Sequence, residues 1–307
     1  MNWKDLGLVW SSSGNPETAS SHAMGPTPIL INKDVIRIYL TSLDSHGIGR
    51  PIFIEVSSSD PTVVLDECLT PILEIGKPGT FDDNGIMVTS VVKVDDRTYY
   101  MYYAGFELSD KVRYRILTGM AISTDGGLTF ARFSDVPILE RSKKELYFRG
   151  GPFVLKRGDL FRMWYVAGSS WTIISGKQMP VYVLKYIESK DGFTWPSEGT
   201  TIMELDGIDE HGFGRPWVVD SSSGGLEMHY SIRRMSLGAY RLGFATSSDG
   251  LNWSRNDEGL NLDVQAGSHA STAIMYSAVI NTGENTYCFY NGDNFGKDGF
   301  AVAELVP

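Results

Sequence analysis

Five stretches of the chain decide its fold: TPILINKDVIRIYL from Thr27, TSVVKVDDRTYYMYY from Thr89, GPFVLKRGDLFRMWY from Gly151, RPWVVDSSSGGLEMHY from Arg215 and YSAVINTGENTYCFY from Tyr276. Each runs from a small residue or proline through an apolar strand, a short polar turn and a second strand rich in aromatics, which is the pattern of a β-hairpin. Their second residues are Pro28, Ser90, Pro152, Pro216 and Ser277. These recur at intervals of about 62 residues, and self-similarity at a fixed period marks a repeat architecture.

Outward from each hairpin the pattern continues. A third strand ends in Ser-x-Asp-Gly in MAISTDGGLTF, YIESKDGFTW and FATSSDGLNW, which begin at Met120, Tyr186 and Phe244. Asp-Gly there supplies the turn into a fourth strand, because glycine takes the positive φ that the turn needs. Four antiparallel strands repeated five times predict an all-β chain folded as a five-bladed β-propeller. A two-sheet sandwich would not explain so uniform a spacing. The predicted blades cover 20–70, 82–135, 144–200, 208–258 and 268–307. The fifth repeat stops after its third strand, FAVAEL, and LGLVW at Leu6 to Trp10 is the segment expected to supply the missing strand and close the ring. The last blade is therefore 268–307 plus 3–10.

The 307 residues suggest two domains at the usual size of about 150 residues each, but the repeat reads them as one. The abundance of glycine, tyrosine, phenylalanine and tryptophan becomes turns and blade packing. A net charge of -10 argues against a nucleic-acid groove, which needs a basic footprint, and against an anionic membrane surface. Cys68 and Cys288 are expected to be free thiols, in keeping with a cytoplasmic location. The N-terminal MNWKDLGLVWSSSG lacks the basic and apolar regions of a signal peptide, and no apolar run is long enough to span a membrane.

In a propeller the residues before each first strand crowd the mouth of the central channel. Seven positions before the aligned Pro or Ser stand Ser21, Asp83, Glu145, Asp209 and Ala270. Six before stand His22, Asn84, Leu146, Glu210 and Ser271, and His211 and His269 fall beside these columns. Arg149 and Arg215 enter from the third and fourth blades, and Asp82 adds an acid to the second. Convergent carboxylates, imidazoles and guanidinium groups are what a polar ligand requires. Trp171, Tyr147, Phe148 and Trp217 are aromatics available to stack on a sugar face. The plain structural readings stand beside these: Asp83-Asn84-Gly85 is a good turn, and the arginines are natural ion-pair partners for Glu145 and Glu210. Met101, Met163 and Met228 read as interior filler, Asp125, Asp191 and Asp249 as turn formers, and His229 and the tyrosines ending the second strands as blade packing. His46 sits in a loop with its role open.

YYMYYAG, FRMWYVAG, the Ser-x-Asp-Gly turns and the acids before the first strands resemble the five-bladed propeller glycoside hydrolase superfamily, which includes families 43, 62, 32, 68, 117 and 130. SHA…PTP, RGGP and GRPW look like members of the sort found near surface-polysaccharide genes. The likeness spans about Ser21 to Leu305. It implies a base or nucleophile from blade 1, an auxiliary Asp from blade 2 and an acid Glu from blade 3. By position Asp83 matches the second and Glu145 the third, while blade 1 departs from the pattern with Ser20, Ser21 and His22. Glu210 or Asp209 is then the substitute from blade 4.

The expectation is a carbohydrate-active protein, acting on a sugar, oligosaccharide or nucleotide sugar. Its carboxylate acid/base set is Asp83, Glu145 and Glu210. His22, Arg149, Asp209, His211, Arg215, His269 and Trp171 are its binding residues. No cofactor is expected. A non-catalytic sugar-binding propeller is the alternative. Further readings are a metal held by His22, His211, His269 and Glu210, and a protein-interaction platform.

Overall fold

The computed structural model describes residues 1–12, 14–15 and 17–307. The chain divides into two compact units, one comprising Met1–Ile72, Trp217–Ile232 and Ala239–Pro307, the other Leu73–Pro216 and Arg233–Gly238.

The first unit opens with β1 (Trp3–Trp10), followed by the antiparallel group β2 (Ser21–Asn32), β3 (Val35–Leu43), β4 (Gly49–Ser57) and β5 (Val64–Cys68), hydrogen-bonded in that order. The second unit holds β6 (Ile86–Lys93), β7 (Tyr99–Leu108), β8 (Tyr114–Ser123) and β9 (Ala131–Arg132), then β10 (Phe148–Arg157), β11 (Leu160–Ile174), β12 (Lys177–Ser189) and β13 (Thr200–Met203). Within it, two short parallel contacts link neighbouring groups, Phe148 opposite Ile116 and Tyr182 opposite Gly212. The chain re-enters the first unit along β14 (Glu210–Asp220), paired in turn with β15 (Leu226–Arg234), β16 (Ala239–Ser247) and β17 (Ser254–Arg255). It ends with β18 (Met275–Asn281), β19 (Thr286–Asn291) and β20 (Phe300–Leu305). The order of the last sheet is β1-β20-β19-β18, with Trp3 opposite Leu305 and Trp10 opposite Phe300. The N-terminal strand thus occupies the fourth place beside FAVAEL, and it starts three residues earlier than Leu6. Among the described residues no helix is long and apolar enough to cross a membrane.

The aromatic second strands are the buried centre of their groups. Met101, Met163 and Met228 are all fully buried, as filler between apolar faces. In the second unit Tyr102, Met163, Tyr165, Phe161 and Ile187 share one core. In the first, Ile36, Ile38, Ile52 and Ile54 pack with Val9, Trp10 and Phe300. Cys68 and Cys288 are free thiols.

First strands are interrupted where the sequence columns converge, β2 among them, where the register skips between Met24 and Thr27. In β6 the register skips between Val88 and Ser90, in β10 between Gly150 and Phe153, and in β18 between Met275 and Ala278. These are β-bulges, which bend a strand and re-aim a side chain. Three of the five residues immediately before the aligned Pro or Ser, Gly151, Arg215 and Tyr276, have φ of 58°, 29° and 59°. Such values are strained for the two that carry side chains.

The Ser-x-Asp-Gly turns share one hydrogen-bond plan. Ser123 and Ser189 donate through Oγ to Asp125 and Asp191 at 2.6 and 2.8 Å. Asp125 then accepts the backbone N–H of Leu128, and Asp191 those of Phe193 and Thr194. Trp195 and Trp253 close their turns by donating Nε1 to the Gly192 and Gly250 carbonyls, both at 3.0 Å. Burial alone would raise the Asp125 and Asp191 carboxyls. The hydrogen bonds from the turn outweigh it and bring both to about 2. A carboxyl lowered on folding contributes stability in full above its unfolded value, near 4. That contribution fades as pH falls toward 2, so denaturant midpoints measured from pH 5 to pH 2 should drop, and less steeply in Asp125→Asn. A second test concerns Gly119 in β8, where a Cβ would lie 2.2 Å from the Tyr103 ring. Tyr103 is fully buried and tethered through its hydroxyl. Gly119→Ala should therefore destabilise the protein by about 1–3 kcal/mol in urea unfolding.

Candidate functional site

The second unit contains the expected carboxylates, and its geometry separates their roles. Glu145 is fully buried. Its Oε2 accepts Tyr165 Oη at 2.8 Å and lies 2.5 Å from Arg149 Nε. Its Oε1 lies 3.0 Å from Lys185 Nζ and accepts the Gly199 backbone N–H at 2.9 Å. Two cations and two neutral donors thus saturate one carboxylate. Arg149, 2% exposed, is the ion-pair partner within the same repeat, four residues on, and its Nη1 donates to the Glu140 carbonyl at 2.8 Å. Burial pushes the Tyr165 hydroxyl well above its ordinary value, so it stays protonated and donates.

One repeat earlier the same arrangement is built on Asp82, not on its neighbour Asp83. Asp82 is fully buried and accepts Tyr103 Oη at 2.9 Å and Arg132 Nε and Nη2 at 3.0 and 2.8 Å. Asp83 is partly exposed, and its carboxylate accepts the Gly79 N–H at 2.8 Å. Column counting placed Asp83 opposite Glu145. The contact equivalent is one residue earlier, and the tyrosine at the end of each second strand is the signal that pairs them. Arg132 and Lys185, which complete the clusters, stand in no column.

Glu210 opens β14 and is 8% exposed. Its Oε2 accepts the Asp206 N–H at 2.9 Å, and Oε1 lies 3.8 Å from Arg234. Asp209, beside it, accepts Ser236 N and Oγ at 2.7 and 2.8 Å, and these bonds hold its carboxyl below the usual range. His211 is 6% exposed with Nδ1 3.3 Å from the Pro180 carbonyl oxygen. Burial, reinforced by Arg233, lowers its pKa and outweighs the opposing pull of Pro180 and Asp209, so the ring is neutral at pH 7. Arg215 is 2% exposed on its strained backbone.

The long hairpin of β11 and β12 carries Trp171 into an aromatic group. Its ring lies 5.0 Å from Phe148 and 6.2 Å from both Tyr114 and Tyr147, while Tyr182 meets Phe148 edge-on at 4.8 Å. Arg113 and Arg233 lie over Tyr114 and Tyr182 at 5.7 and 5.8 Å. The Trp171 indole N–H has no hydrogen-bond partner among the described residues. A buried donor left open in this way is uncommon in folded proteins.

In the first unit, His269 Nε2 lies 3.2 Å from Tyr290 Oη, which donates to Asp5 at 2.9 Å. Tyr230 Oη likewise donates to Asp257 at 2.6 Å, beside Arg255 at 2.6 Å. His22, half-buried, sits at the start of β2 with φ of 66° and Nδ1 2.9 Å from Ser21 Oγ. His229 is buried against Trp3 and Phe244, and burial brings it down to about 3, which makes it a neutral packing residue. Among the described residues no three His, Cys, Asp or Glu side chains gather as metal ligands.

No family model matches the chain. Across 99% of both chains it is 31% identical to the uncharacterized protein Rv1502 of Mycobacterium tuberculosis (strain ATCC 25618 / H37Rv) and to MT1551 of strain CDC 1551 / Oshkosh. Among solved structures it resembles a glycosyl hydrolase from Bacteroides ovatus, with TM-score 0.72, 13% identity and coverage of 100% of this chain and 94% of that one. It also resembles a thermostable family-43 glycoside hydrolase, with TM-score 0.68, 16% identity and coverage of 95% and 92%. An endo-arabinase from Bacteroides thetaiotaomicron VPI-5482 aligns at TM-score 0.64 and 14% identity over 99% and 98%. The chain belongs to the family of Rv1502, and its fold is that of the propeller glycoside hydrolases.

Proposed function

We propose that the chain is a carbohydrate-active protein, a five-bladed propeller closed by its N-terminal strand, that binds a sugar, oligosaccharide or nucleotide sugar through the second unit. The observation that carries this reading is the aromatic group around Trp171. Aromatic faces stack on the apolar face of a sugar ring, and Trp171, Tyr147 and Tyr114 of this group are partly exposed. The fold shared with glycoside hydrolases supports the same ligand class. Arg215 and the neutral His211 add polar contacts to the ligand in this reading.

Hydrolysis of a glycosidic bond asks for two carboxyl groups, one to protonate the leaving oxygen and one to act as base or nucleophile. Asp83 and Glu210 are assigned that work. Glu145 was the expected acid, but its four partners and complete burial favour a positioning role, holding Arg149, Lys185 and Tyr165 together. That same saturation favours the second reading, a sugar-binding propeller without turnover.

Calorimetry against neutral oligosaccharides and nucleotide sugars, followed by product analysis, tests both. A ligand should bind, and Trp171→Ala should weaken it about tenfold, equivalent to about 1.4 kcal/mol. Binding unaffected by that substitution would overturn the assignment. If product forms, Asp83→Asn or Glu210→Gln should cut the rate at least about 100-fold, the scale of general acid–base catalysis. If none forms with any bound ligand, the non-catalytic reading stands. Glu145→Gln leaves two buried cations without their counter-charge and should cost about 3–5 kcal/mol of stability in urea unfolding. A stable but inactive Glu145→Gln protein would instead make Glu145 the acid.

A further inference from the structure

The first unit holds a second constellation, which the carbohydrate reading does not use. Ser21 and His22 open β2 where the resembling family is expected to place a carboxylate. Ser21 Oγ lies 2.9 Å from His22 Nδ1, and both side chains are partly exposed. The imidazole makes a second hydrogen bond to the Asn294 backbone, one that favours a proton on the ring. In the tautomer that carries its proton on Nε2, the Nδ1 lone pair is directed at the serine hydroxyl. A nucleophile, a base and a group that orients the base are the three parts of an activated serine.

The surroundings hold this arrangement in place. His22 takes φ of 66°, a conformation a residue with a side chain keeps only when its neighbours enforce it. Ser42 Oγ, fully buried, reaches the carbonyls of both Ser21 and His22 at 2.9 Å. Asn291, also fully buried, donates to the Ala23 carbonyl at 2.7 Å and accepts the Gly25 N–H at 2.8 Å. The same amide donates to the Gly299 carbonyl at 3.3 Å, fastening β2 to the loop that carries Asn294. At the other end of that loop Asp293 accepts from Ser271, Thr272 and Ala273. Asn294 and Phe295 are left-handed as well, at 52° and 60°. Strain of this kind, fixed by buried hydrogen bonds at a partly exposed polar pair, is a feature of built active sites.

We propose that Ser21 is a nucleophile activated by His22, and that the substrate class is a carboxylic ester. Ser21 Oγ forms a bond to the acyl carbon as its proton passes to His22 Nδ1. The ester C–O bond breaks, and the departing alkoxide takes that proton from the imidazole. Water then attacks the acyl-serine, giving its proton to His22. The acid is released, and the returned proton restores the Ser21 hydroxyl. Burial first, and Lys297 second, lower the His22 pKa against the opposing pull of Asn294 and Asp298, so the ring is the free base at neutral pH.

The test is covalent labelling, which is independent of any sugar. The full chain is treated with a fluorophosphonate probe at pH 8 and the modified peptide is read by mass spectrometry, with 4-nitrophenyl acetate hydrolysis measured in parallel. Ser21 should be labelled, and Ser21→Ala should abolish labelling of that peptide. His22→Asn should slow it about 100-fold, the scale of a lost general base. Asparagine tolerates positive φ, so this variant keeps the backbone, and its circular dichroism and urea midpoint establish that it is folded. The labelling rate should rise with pH through a midpoint below 6.5, the ordinary histidine value. No labelling of Ser21, or labelling indifferent to a folded His22→Asn, overturns the proposal and leaves the carbohydrate reading untouched.

Discussion

A buried tyrosine hydroxyl donating to a carboxylate is the contact around which the repeats are built. Tyr103 meets Asp82, Tyr165 meets Glu145, Tyr230 meets Asp257 and Tyr290 meets Asp5. Each tyrosine stands at or near the end of an aromatic second strand, where the hydroxyl would otherwise be buried without a partner. Arginine or lysine joins the first three carboxylates, and His269 joins the fourth tyrosine. In a medium of low polarity such a group is strongly stabilising only when complete, since removing one member strands the others. The neighbouring strands accommodate it: Gly119 and Gly243 leave the room that the Tyr103 and Tyr230 rings occupy.

This constraint decides which polar residues are free for chemistry. Glu145 and Asp82 are absorbed by the clamps, and Arg149 with them. Other candidate residues are left partly exposed. Trp171 has an open indole N–H, Asp83 sits on a turn, and Ser21 and His22 share a hydrogen bond. The proposed carboxylate chemistry on a sugar and the proposed serine chemistry on an ester lie in different units of the chain, and each is tested without reference to the other.

The strands, the Ser-x-Asp-Gly turns and the buried methionines were legible because each follows from a local rule: period-two patterning, the φ that Asp-Gly permits, and apolar spacing. The strand at Trp3–Trp10 was legible from counting alone. The carboxylate partners were not. Asp82 and Asp83 are adjacent and chemically alike, and only the tyrosine across the hairpin distinguishes the buried one from the exposed one. Asp257 lies in a short 3-10 turn and Asp5 in the first strand, each far from any column of the repeat. The fold needs a carboxylate at each tyrosine, but the element that supplies it differs from repeat to repeat, so alignment cannot find it. Lys185 and Arg132 are hidden for the same reason. The Ser21–His22 pair was visible as residues standing in place of an acid, while the loop that orients the imidazole comes from the other end of the sequence.

The most direct measurement is a double-mutant cycle on Tyr165 and Glu145, with Tyr165→Phe, Glu145→Gln and the double variant unfolded in urea. A clamp predicts a coupling energy of about 1–3 kcal/mol, as expected for partners in one buried network. A coupling near zero, with the two substitutions simply additive, would contradict it and return Glu145 to the pool of residues free to act on a ligand.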